Sequence, residues 1–268
     1  MSGHARRTRI ALAVWTAAIA LFLLAPIALI VVYAFNPSNI QSWPLHGLST
    51  KWFGSAFDDP EMRNALWLSA RAGLIATAIA IVLGTMAAFA VHRFRFFGRE
   101  AVSLMLVLPL ALPGIITGMA LNSFFAWSGT SFSLTTIVIG HATFCIVVVY
   151  NNVIARLRRT QASLVEASMD LGADGLTTFR LVTLPSIATA LVAGGLLAFA
   201  LSFDEVIVTT FTAGAQNTLP LWIFGQIRLG QRLPQVNVVV LVVLAITFVP
   251  VVLAQRLTRE TGVLRRAL

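Results

Sequence analysis

Residues 166–185, EASMDLGADGLTTFRLVTLP, form a polar, charge-dotted segment between two long apolar runs. Ser163 precedes Glu166 by three positions, which is the spacing of a capping box, and this pattern predicts that a helix begins there. At helical spacing, one face of this helix carries three apolar side chains, those of Leu164, Ala167 and Leu171. The sequence therefore predicts a short amphipathic helix at the start of the segment.

The rest of the segment predicts a turn and a second short helix. Gly172 supplies the backbone freedom that ends the first helix. Residues 177–182 then form a second short segment, and Leu184 and Pro185 open the next apolar run. An ordinary solvated loop, whose carboxylates keep it in water, is one interpretation of these residues. The other is a helix–turn–helix lever that the protein presents to a partner.

This segment closely resembles the EAA signature of the binding-protein-dependent ABC importer permeases, with Glu, Gly and Pro all in register. The family usually has a second Ala at the position of Ser168 and Ile at the position of Val182, and both changes are mild. In that family the segment, here about residues 156–186, is the cytoplasmic coupling loop that docks into a cleft of the ATPase subunit. The resemblance implies a coupling role for Glu166, Ala167, Ser168, Asp170, Gly172, Ala173, Asp174, Leu184 and Pro185.

The composition places the chain in a lipid bilayer. Hydrophobic residues make up 58% of the 268 residues and charged residues only 11%, and the mean hydropathy is +0.87. A globule of this size could not bury so much apolar surface. A helix needs about 20 apolar residues to cross roughly 30 Å of hydrocarbon. We predict an all-α membrane protein with six transmembrane helices, near residues 10–35, 65–91, 101–126, 133–154, 187–211 and 238–255.

The positions of the arginines predict the orientation of these spans. Fourteen of the 19 Lys and Arg residues lie near the two termini, in the loop after the second predicted span, or in the loop that holds the polar segment. By the positive-inside rule these parts are cytoplasmic, and so are both termini. We expect the first span to be an uncleaved anchor, because its apolar run is longer than that of a signal peptide. The same bias explains the net charge of +9 without a nucleic-acid partner.

The chain carries no residue pattern of an enzyme or a metal site. A nucleotide-binding P-loop ends in Gly-Lys-Ser/Thr, whereas the single lysine, Lys51, lies in HGLSTKWFG. If transport is driven by ATP, the nucleotide site therefore lies on a separate subunit. Cys145 is the only cysteine and the four histidines are scattered. We expect Cys145 to be a packing residue and His141 to be a hydrogen-bonded buried or interfacial side chain, with a proton relay as the alternative, and we predict no cofactor and no metal.

The third predicted span carries two prolines and two glycines in LPLALPGIITG, which begins at residue 108. Proline lacks the N–H donor and clashes with the preceding turn, so we expect this helix to be kinked or broken near mid-membrane. Irregular backbone at that depth is tolerated only against protein or a water-filled cavity. Pro109 and Pro113 are therefore candidates for a pore-lining helix that flexes, or for a static kink. Gly114 and Gly118 permit close helix contact.

Two adjacent carboxylates lie in the fifth predicted span, in the sequence LSFDEVIVTTF. Carboxylates inside a membrane are costly and usually face a cavity, a partner or a pathway. Asp204 and Glu205 are therefore candidates for the translocation route. The alternatives are pairing with Arg71 or with a partner permease, or a position near the outer interface. The pair also resembles the Asp-acidic pair that is common in the spermidine/putrescine branch of the permease family.

The resemblance to that branch extends through residues 35–53, 140–159, 201–214 and 218–224. It implies that residues 1–268 form one permease domain with the type I ABC importer fold, in the cytoplasmic (inner) membrane of a bacterium. The implied partners are a homologous permease subunit, two ABC ATPase subunits, a periplasmic substrate-binding protein and membrane lipids. The implied substrates are putrescine, spermidine or related amines. Three alternatives remain: an ABC importer for amino-acid-like compounds, an ion-coupled secondary transporter of small cationic solutes, and a membrane-embedded scaffold or enzyme.

Overall fold

The computed structural model describes residues 3–45, 47–94 and 96–247, and all regular secondary structure in these ranges is helical. This confirms the all-α class. The elements in chain order are α1 (Gly3–Ala34), α2 (Lys51–Phe57), α3 (Pro60–Arg93), α4 (Arg99–Ala111), α5 (Gly114–Trp127), α6 (Leu134–Leu157), α7 (Ala162–Asp170), α8 (Gly175–Thr178), a π-helical turn (Phe179–Thr183), α9 (Leu184–Phe203), α10 (Ile207–Thr212), α11 (Leu219–Leu229) and α12 (Leu233–Thr247).

Four described stretches are helical, long and apolar enough to cross a membrane: Arg7–Ala34, Pro60–Arg93, Leu134–Leu157 and Gly175–Phe203. Helices α4 and α5 together form a fifth candidate span. The sixth predicted span, residues 238–255, coincides with α12 as far as Thr247. Its remainder lies outside the described residues. The described helices therefore supply up to five spans, at the places of the first five predicted stretches.

The chain divides into two compact units, Met1–Pro60 with Ile223–Leu268, and Glu61–Trp222. In the first unit, the loop after α1 is tied to α2. The indole Nε1 of Trp52 donates a hydrogen bond to the carbonyl oxygen of Asn36 over 2.7 Å, and the rings of Phe35 and Phe53 lie 5.3 Å apart. Arg232 and Asp59 form an ion pair of 2.6 Å in the same unit.

The second unit is built around α6, which packs against α4, α9 and α10. The helix begins with a capping interaction, in which Ser133 N donates to Thr136 Oγ1 over 2.8 Å. A Cβ atom at Gly84 of α3 would lie only 2.8 Å from the carbonyl oxygen of Ile146, so α3 approaches α6 too closely for a larger residue. The thiol of Cys145 is buried and donates to a backbone oxygen of α9. This confirms its predicted packing role.

The predicted break in the third span is confirmed. Helix α4 ends at Ala111, α5 begins at Gly114, and the two helix axes are bent by 102°. Pro113 precedes the first residue of α5, whereas Pro109 lies inside α4. The break therefore coincides with the second proline, whose ring is compatible with the start of a helix but not with its interior.

The predicted close contact at the small residues of α5 is also confirmed. A Cβ atom at Gly118 would lie 2.6 Å from the ring of Phe211 in α10. On the same helix pair, Asn122 Nδ2 donates to the carbonyl oxygen of Phe211 over 2.7 Å. The absence of a side chain at Gly118 therefore lets α10 lie directly on α5.

The prediction of a continuous fifth span over residues 187–211 is wrong. Helix α9 ends at Phe203 and α10 begins at Ile207. A carboxylate oxygen of Glu205 accepts a hydrogen bond from Val208 N over 2.9 Å, and Thr209 Oγ1 donates to the carbonyl oxygen of Glu205 over 2.7 Å. These side chains satisfy backbone groups at the start of α10, so the chain can interrupt the helix inside an apolar stretch. Asp204 and Glu205 therefore lie in a helix break.

Candidate functional site

The predicted start of the first short helix is wrong. Helix α7 begins at Ala162, and its N-cap residue is Gln161, which has an extended backbone and no side-chain capping bond within the described structure. The turn after α6 closes at Thr160, whose hydroxyl donates to the carbonyl oxygen of Arg156 over 3.1 Å. Because this turn is complete at Thr160, helical backbone resumes before Ser163, which lies inside α7.

Gly172 ends α7 in the way that the sequence predicts. Its φ of +87° lies in the left-handed region that favours glycine. Gly172 N donates to the carbonyl oxygen of Met169 over 2.9 Å, and Ala173 N donates to that of Ser168 over 3.1 Å. These two bonds form a Schellman motif, which satisfies carbonyl groups at the end of a helix. The turn after α7 therefore has a defined geometry that depends on Gly172.

Side-chain hydrogen bonds hold α8 against α7. The hydroxyl groups of Ser168 and Thr178 lie 3.1 Å apart. Asp174 precedes α8, and its Oδ1 accepts a hydrogen bond from Thr177 N over 2.8 Å. The hydrogen bonds from Thr177 hold the pKa of the Asp174 carboxyl below its usual value. The carboxylate is therefore a pre-formed N-cap, and α7, the turn and α8 form one connected unit.

The same unit continues without a break into α9. The π-helical turn Phe179–Thr183 joins α8 to α9, and Pro185 is the second residue of α9, where its missing N–H is tolerated. Arg156, at the end of α6, donates from Nε to the carbonyl oxygen of Ser186 over 2.8 Å. The backbone is therefore continuously helical from α8 to α9, and the turn at Gly172 and the bond between Ser168 and Thr178 join α7 to it. The sequence gives no periodic signal for the π-helical turn.

The segment presents apolar side chains to its surroundings. Leu171 is 90% exposed, Leu176 is 67% exposed and Leu164 is 49% exposed. Ala167, Glu166 and Asp170 are exposed as well, whereas Val165 and Ser168 are half-buried. The predicted face of Leu164, Ala167 and Leu171 is thus uncovered, although these residues lie in a polar segment. A cluster of exposed leucines rimmed by carboxylates is typical of a protein-binding surface.

The two candidate features of the translocation route are neighbours in the structure. A Cβ atom at Gly114, directly after Pro113, would lie 3.7 Å from the side chain of Ile207. Ile207 begins α10, directly after the break that contains Asp204 and Glu205. The break in the third span and the break in the fifth span therefore meet. Two interrupted helices in contact form a place where irregular backbone is sheltered by protein.

The carboxylates at this junction differ in their surroundings. Asp204 is exposed and follows the last residue of α9. The side chain of Glu205 caps α10. Arg71 lies elsewhere, with its guanidinium 4.7 Å from the ring centroid of Trp67, and no ion pair joins it to either carboxylate in the described residues. Glu205 thus has a structural role that the sequence analysis did not predict.

A buried histidine holds the fifth-span break together. His141 in α6 is 1% exposed. Its Nδ1 lies 2.7 Å from Ser202 Oγ in α9, and its Nε2 lies 2.8 Å from Thr209 Oγ1 in α10. Because Thr209 already donates to the Glu205 carbonyl oxygen, its hydroxyl accepts from Nε2–H, and a neutral ring then accepts from Ser202 at Nδ1. The prediction of a hydrogen-bonded buried histidine is confirmed.

Comparisons with known proteins agree with this architecture. The family model described as "Binding-protein-dependent transport system inner membrane component" matches residues 80–262. The chain is 37% identical over 233 residues to the putrescine transport system permease protein PotI of Escherichia coli strain K12, which covers 83% of this chain and 82% of that protein. It is 32% identical over 243 residues to the spermidine/putrescine transport system permease protein PotC of Haemophilus influenzae, covering 90% and 93% of the two chains.

A solved structure supports the fold. One chain in the crystal structure of a bacterial ABC transporter involved in the import of the acidic polysaccharide alginate matches this chain with a TM-score of 0.68. The match covers 96% of this chain and 98% of that chain at 18% sequence identity. At this identity the comparison shows the fold alone.

The helical spans and the exposed polar segment between them define a multi-pass membrane permease. The chain belongs to the binding-protein-dependent inner membrane permeases, which are the membrane component of ABC importers. The resemblance that begins at residues 166–185 is therefore confirmed, and so is the assignment of the chain as a non-catalytic permease subunit.

Proposed function

We propose that this chain is one of two homologous permease subunits of an importer for putrescine, spermidine or related amines. Its relatives PotI and PotC, which cover most of the chain, are named for putrescine and spermidine/putrescine transport. In this proposal the 268 residues form one permease domain with six membrane-spanning helices, of which α12 begins the sixth. Two ABC ATPase subunits bind on the cytoplasmic side, and a periplasmic binding protein delivers the substrate.

The observation that carries this proposal is the geometry of residues 162–186. The leucines of α7, the following turn and α8 face outwards, and the hydrogen bonds of Ser168, Gly172 and Asp174 make the segment a unit. Closure of an ATP-bound ATPase dimer that holds this surface would displace the unit. Since the segment is continuous with α9, the displacement tilts α9.

The other end of α9 meets the junction of the two helix breaks. A tilt of α9 at its first turn moves Phe203 and Asp204 relative to α5 and α10, because the chain is not helical over residues 204–206. His141 bonds to both α9 and α10 across that break. We infer that α9 is the lever of alternating access and that the junction is where the route opens outwards. Asp204, an exposed carboxylate, attracts a cationic substrate there.

The docking part of the proposal is tested with charge substitutions on α7. Leu171→Glu places a carboxylate on the exposed apolar face at the C-cap of α7, whereas Ser163→Glu adds the same charge to an exposed position inside the helix. We expect Leu171→Glu to reduce the amount of ATPase that co-purifies with the chain and Ser163→Glu to reduce it much less. Equal effects of the two variants would show that this face is not the docking surface.

The coupling part is tested at Glu166. Glu166→Lys reverses the charge of an exposed side chain of α7. We expect this variant to insert into the membrane normally, to lose uptake of labelled putrescine, and to hydrolyse ATP without transport. Wild-type uptake by Glu166→Lys would contradict a coupling role for the segment.

The proposed orientation is tested with reporter fusions. A reporter that is active only in the periplasm should be active when it is fused to either of two predicted outer loops. It should be inactive when it is fused to either of two predicted cytoplasmic loops. The opposite result in any of these loops would contradict six spans with both termini in the cytoplasm. The fusion positions are, for the outer loops, Asp58 and Ala215 and, for the cytoplasmic loops, Gly98 and Gly175.

A further inference from the structure

A cavity of about 380 Å³ lies behind the segment formed by α7 and α8, on its inner side. His92 and Arg93, at the end of α3, form one part of its wall. Glu166 and Met169 of α7 form another part. Its position between the end of a membrane-spanning helix and a polar segment places the cavity at the level of lipid headgroups.

The charge around this cavity is positive. Arg99 and Arg158 lie close enough to His92 for their charges to act on it. Together with Arg93 they outnumber the carboxylate of Glu166. One arginine that lines the cavity, with two more near its wall, is complementary to an anionic headgroup, because each cation near the surface adds about 1 kcal/mol of attraction.

An apolar groove of about 480 Å³ continues from this cavity along α3 and α9. Its lining includes Ile81, Met86 and Ala90 of α3 and Leu184 and Leu191 of α9. The groove and the cavity share two residues, Phe89 and Phe179. The rings of these residues pack edge to face with centroids 5.6 Å apart, at the boundary between the charged cavity and the apolar groove.

The length of the groove matches one leaflet of a bilayer. From Arg93 to Ile81 the helix axis of α3 advances by about 18 Å. Half of the hydrocarbon layer is roughly 15 Å thick. An acyl chain that follows the groove from the charged cavity would therefore end near the middle of the membrane. The same surface thus offers a seat for a headgroup and a seat for a chain, in the order in which a phospholipid presents them.

We propose that this surface is a binding site for an anionic phospholipid of the inner leaflet. The phosphate lies beside Arg93 in the cavity behind α7, and one acyl chain lies in the groove between α3 and α9. Because Glu166 and Met169 of α7 line the headgroup cavity, the bound lipid contacts α7 directly. The assignment to the inner leaflet rests on the proposed cytoplasmic orientation of α7, whereas binding in detergent does not.

The site is tested by native mass spectrometry of the purified full-length chain with the subunits that co-purify, titrated with phosphatidylglycerol and, separately, with phosphatidylethanolamine. We expect tighter binding of phosphatidylglycerol. Arg93→Gln should weaken this binding about fivefold. Ala90→Trp, which fills the groove and leaves the cations in place, should abolish it. The matched control is Arg180→Gln, which removes an exposed cation that lines neither the cavity nor the groove, and it should bind lipid like the wild type.

Three results would overturn the proposal. Equal weakening by Arg93→Gln and Arg180→Gln would show general attraction to surface charge. Equal binding of the two lipids would show that the site does not select an anionic headgroup. A photo-crosslinking residue in place of Ala90 should label lipid in native membranes, and labelling of a neighbouring protein subunit instead would show that the groove is a protein interface. None of these results depends on transport activity, so the site and the proposed function can fail separately.

Discussion

Gly172→Ala isolates the contribution of one backbone conformation to the coupling segment. Around Gly172 there is open space, since no atom lies within 4 Å of the position that a Cβ would take. The added methyl group therefore meets no neighbour, and the cost comes only from the φ of +87°. A left-handed conformation costs a residue with a side chain roughly 1–2 kcal/mol. The ratio of ordered to opened turn should therefore fall by about 5- to 30-fold.

Gly175→Ala is the matched control for this change. Gly175 also has open space around its Cβ position, but its backbone is helical and its φ is not positive. Alanine is favoured over glycine in a helix by roughly 0.5–1 kcal/mol. The control should therefore leave the segment as ordered as the wild type or slightly more so. The two variants add the same methyl group three positions apart and differ in the sign of the expected effect.

Hydrogen exchange measures this effect directly. The amide of Ala173 donates to the carbonyl oxygen of Ser168 only when the turn is closed. In Gly172→Ala its exchange should be faster by about the same 5- to 30-fold, and ATP-driven uptake should fall. In Gly175→Ala, exchange of the Ala173 amide should not be faster and uptake should not be lower than in the wild type. Unchanged exchange in Gly172→Ala, or equal acceleration in both variants, would refute the argument that the left-handed turn orders the segment.

Three further predictions concern single side chains. Asp174→Ala should speed exchange of the Thr177 amide. In the wild type, the hydrogen bonds from Thr177 lower the pKa of Asp174, so the cap should persist through the neutral range and be lost only as the pH falls through that lowered pKa. His141→Ala removes the partner of the Ser202 hydroxyl and one of the two hydrogen bonds of the Thr209 hydroxyl, and it should destabilise the protein by about 1–3 kcal/mol, measured by thermal unfolding of the purified protein. Asp204→Asn should cut polyamine uptake with normal complex yield, whereas Glu205→Gln should also lower the yield because Glu205 caps α10; the reverse assignment would contradict their roles.

Local chemistry in the sequence was enough to predict several features of the fold. Pro113 marked the break in the third span because proline cannot continue a helix, and Gly118 marked a close helix contact because it lacks a side chain. Gly172 marked the end of α7 because glycine, which has no Cβ atom, readily adopts the positive φ that ends a helix. These residues act through their own backbone, so their effect does not depend on distant partners.

Features that depend on contacts between distant residues were not predictable in this way. The hydroxyls of Ser202 and Thr209 act together only because the ring of His141, from another helix, hydrogen-bonds to both. The break at residues 204–206 has a local signal, since Glu205 stands three positions before Val208 and can cap a helix, but the surrounding apolar stretch favours a continuous helix. The spacing of Ser163 predicts a cap, whereas the turn that ends at Thr160 allows the helix to begin earlier.

The segment that decided the class of the protein shows both situations. The positions of Glu166, Gly172 and Pro185 identified the family. Helical spacing was enough to place two exposed leucines of the segment, Leu164 and Leu171, on one face. The bond between Ser168 and Thr178 joins residues ten positions apart across a turn, and its formation follows from the geometry of that turn. The π-helical turn likewise depends on how α8 meets α9.

ATP-driven uptake in proteoliposomes measures whether transport is coupled to the ATPase through residues 166–185. The chain would be purified with its partner permease and ATPase subunits, reconstituted with the binding protein outside, and loaded with ATP and Mg²⁺ inside. We expect accumulation of labelled putrescine that requires ATP and the binding protein and that is lost in Glu166→Lys. Accumulation that proceeds without ATP and follows an imposed ion gradient would contradict it, because transport would then not be coupled through residues 166–185.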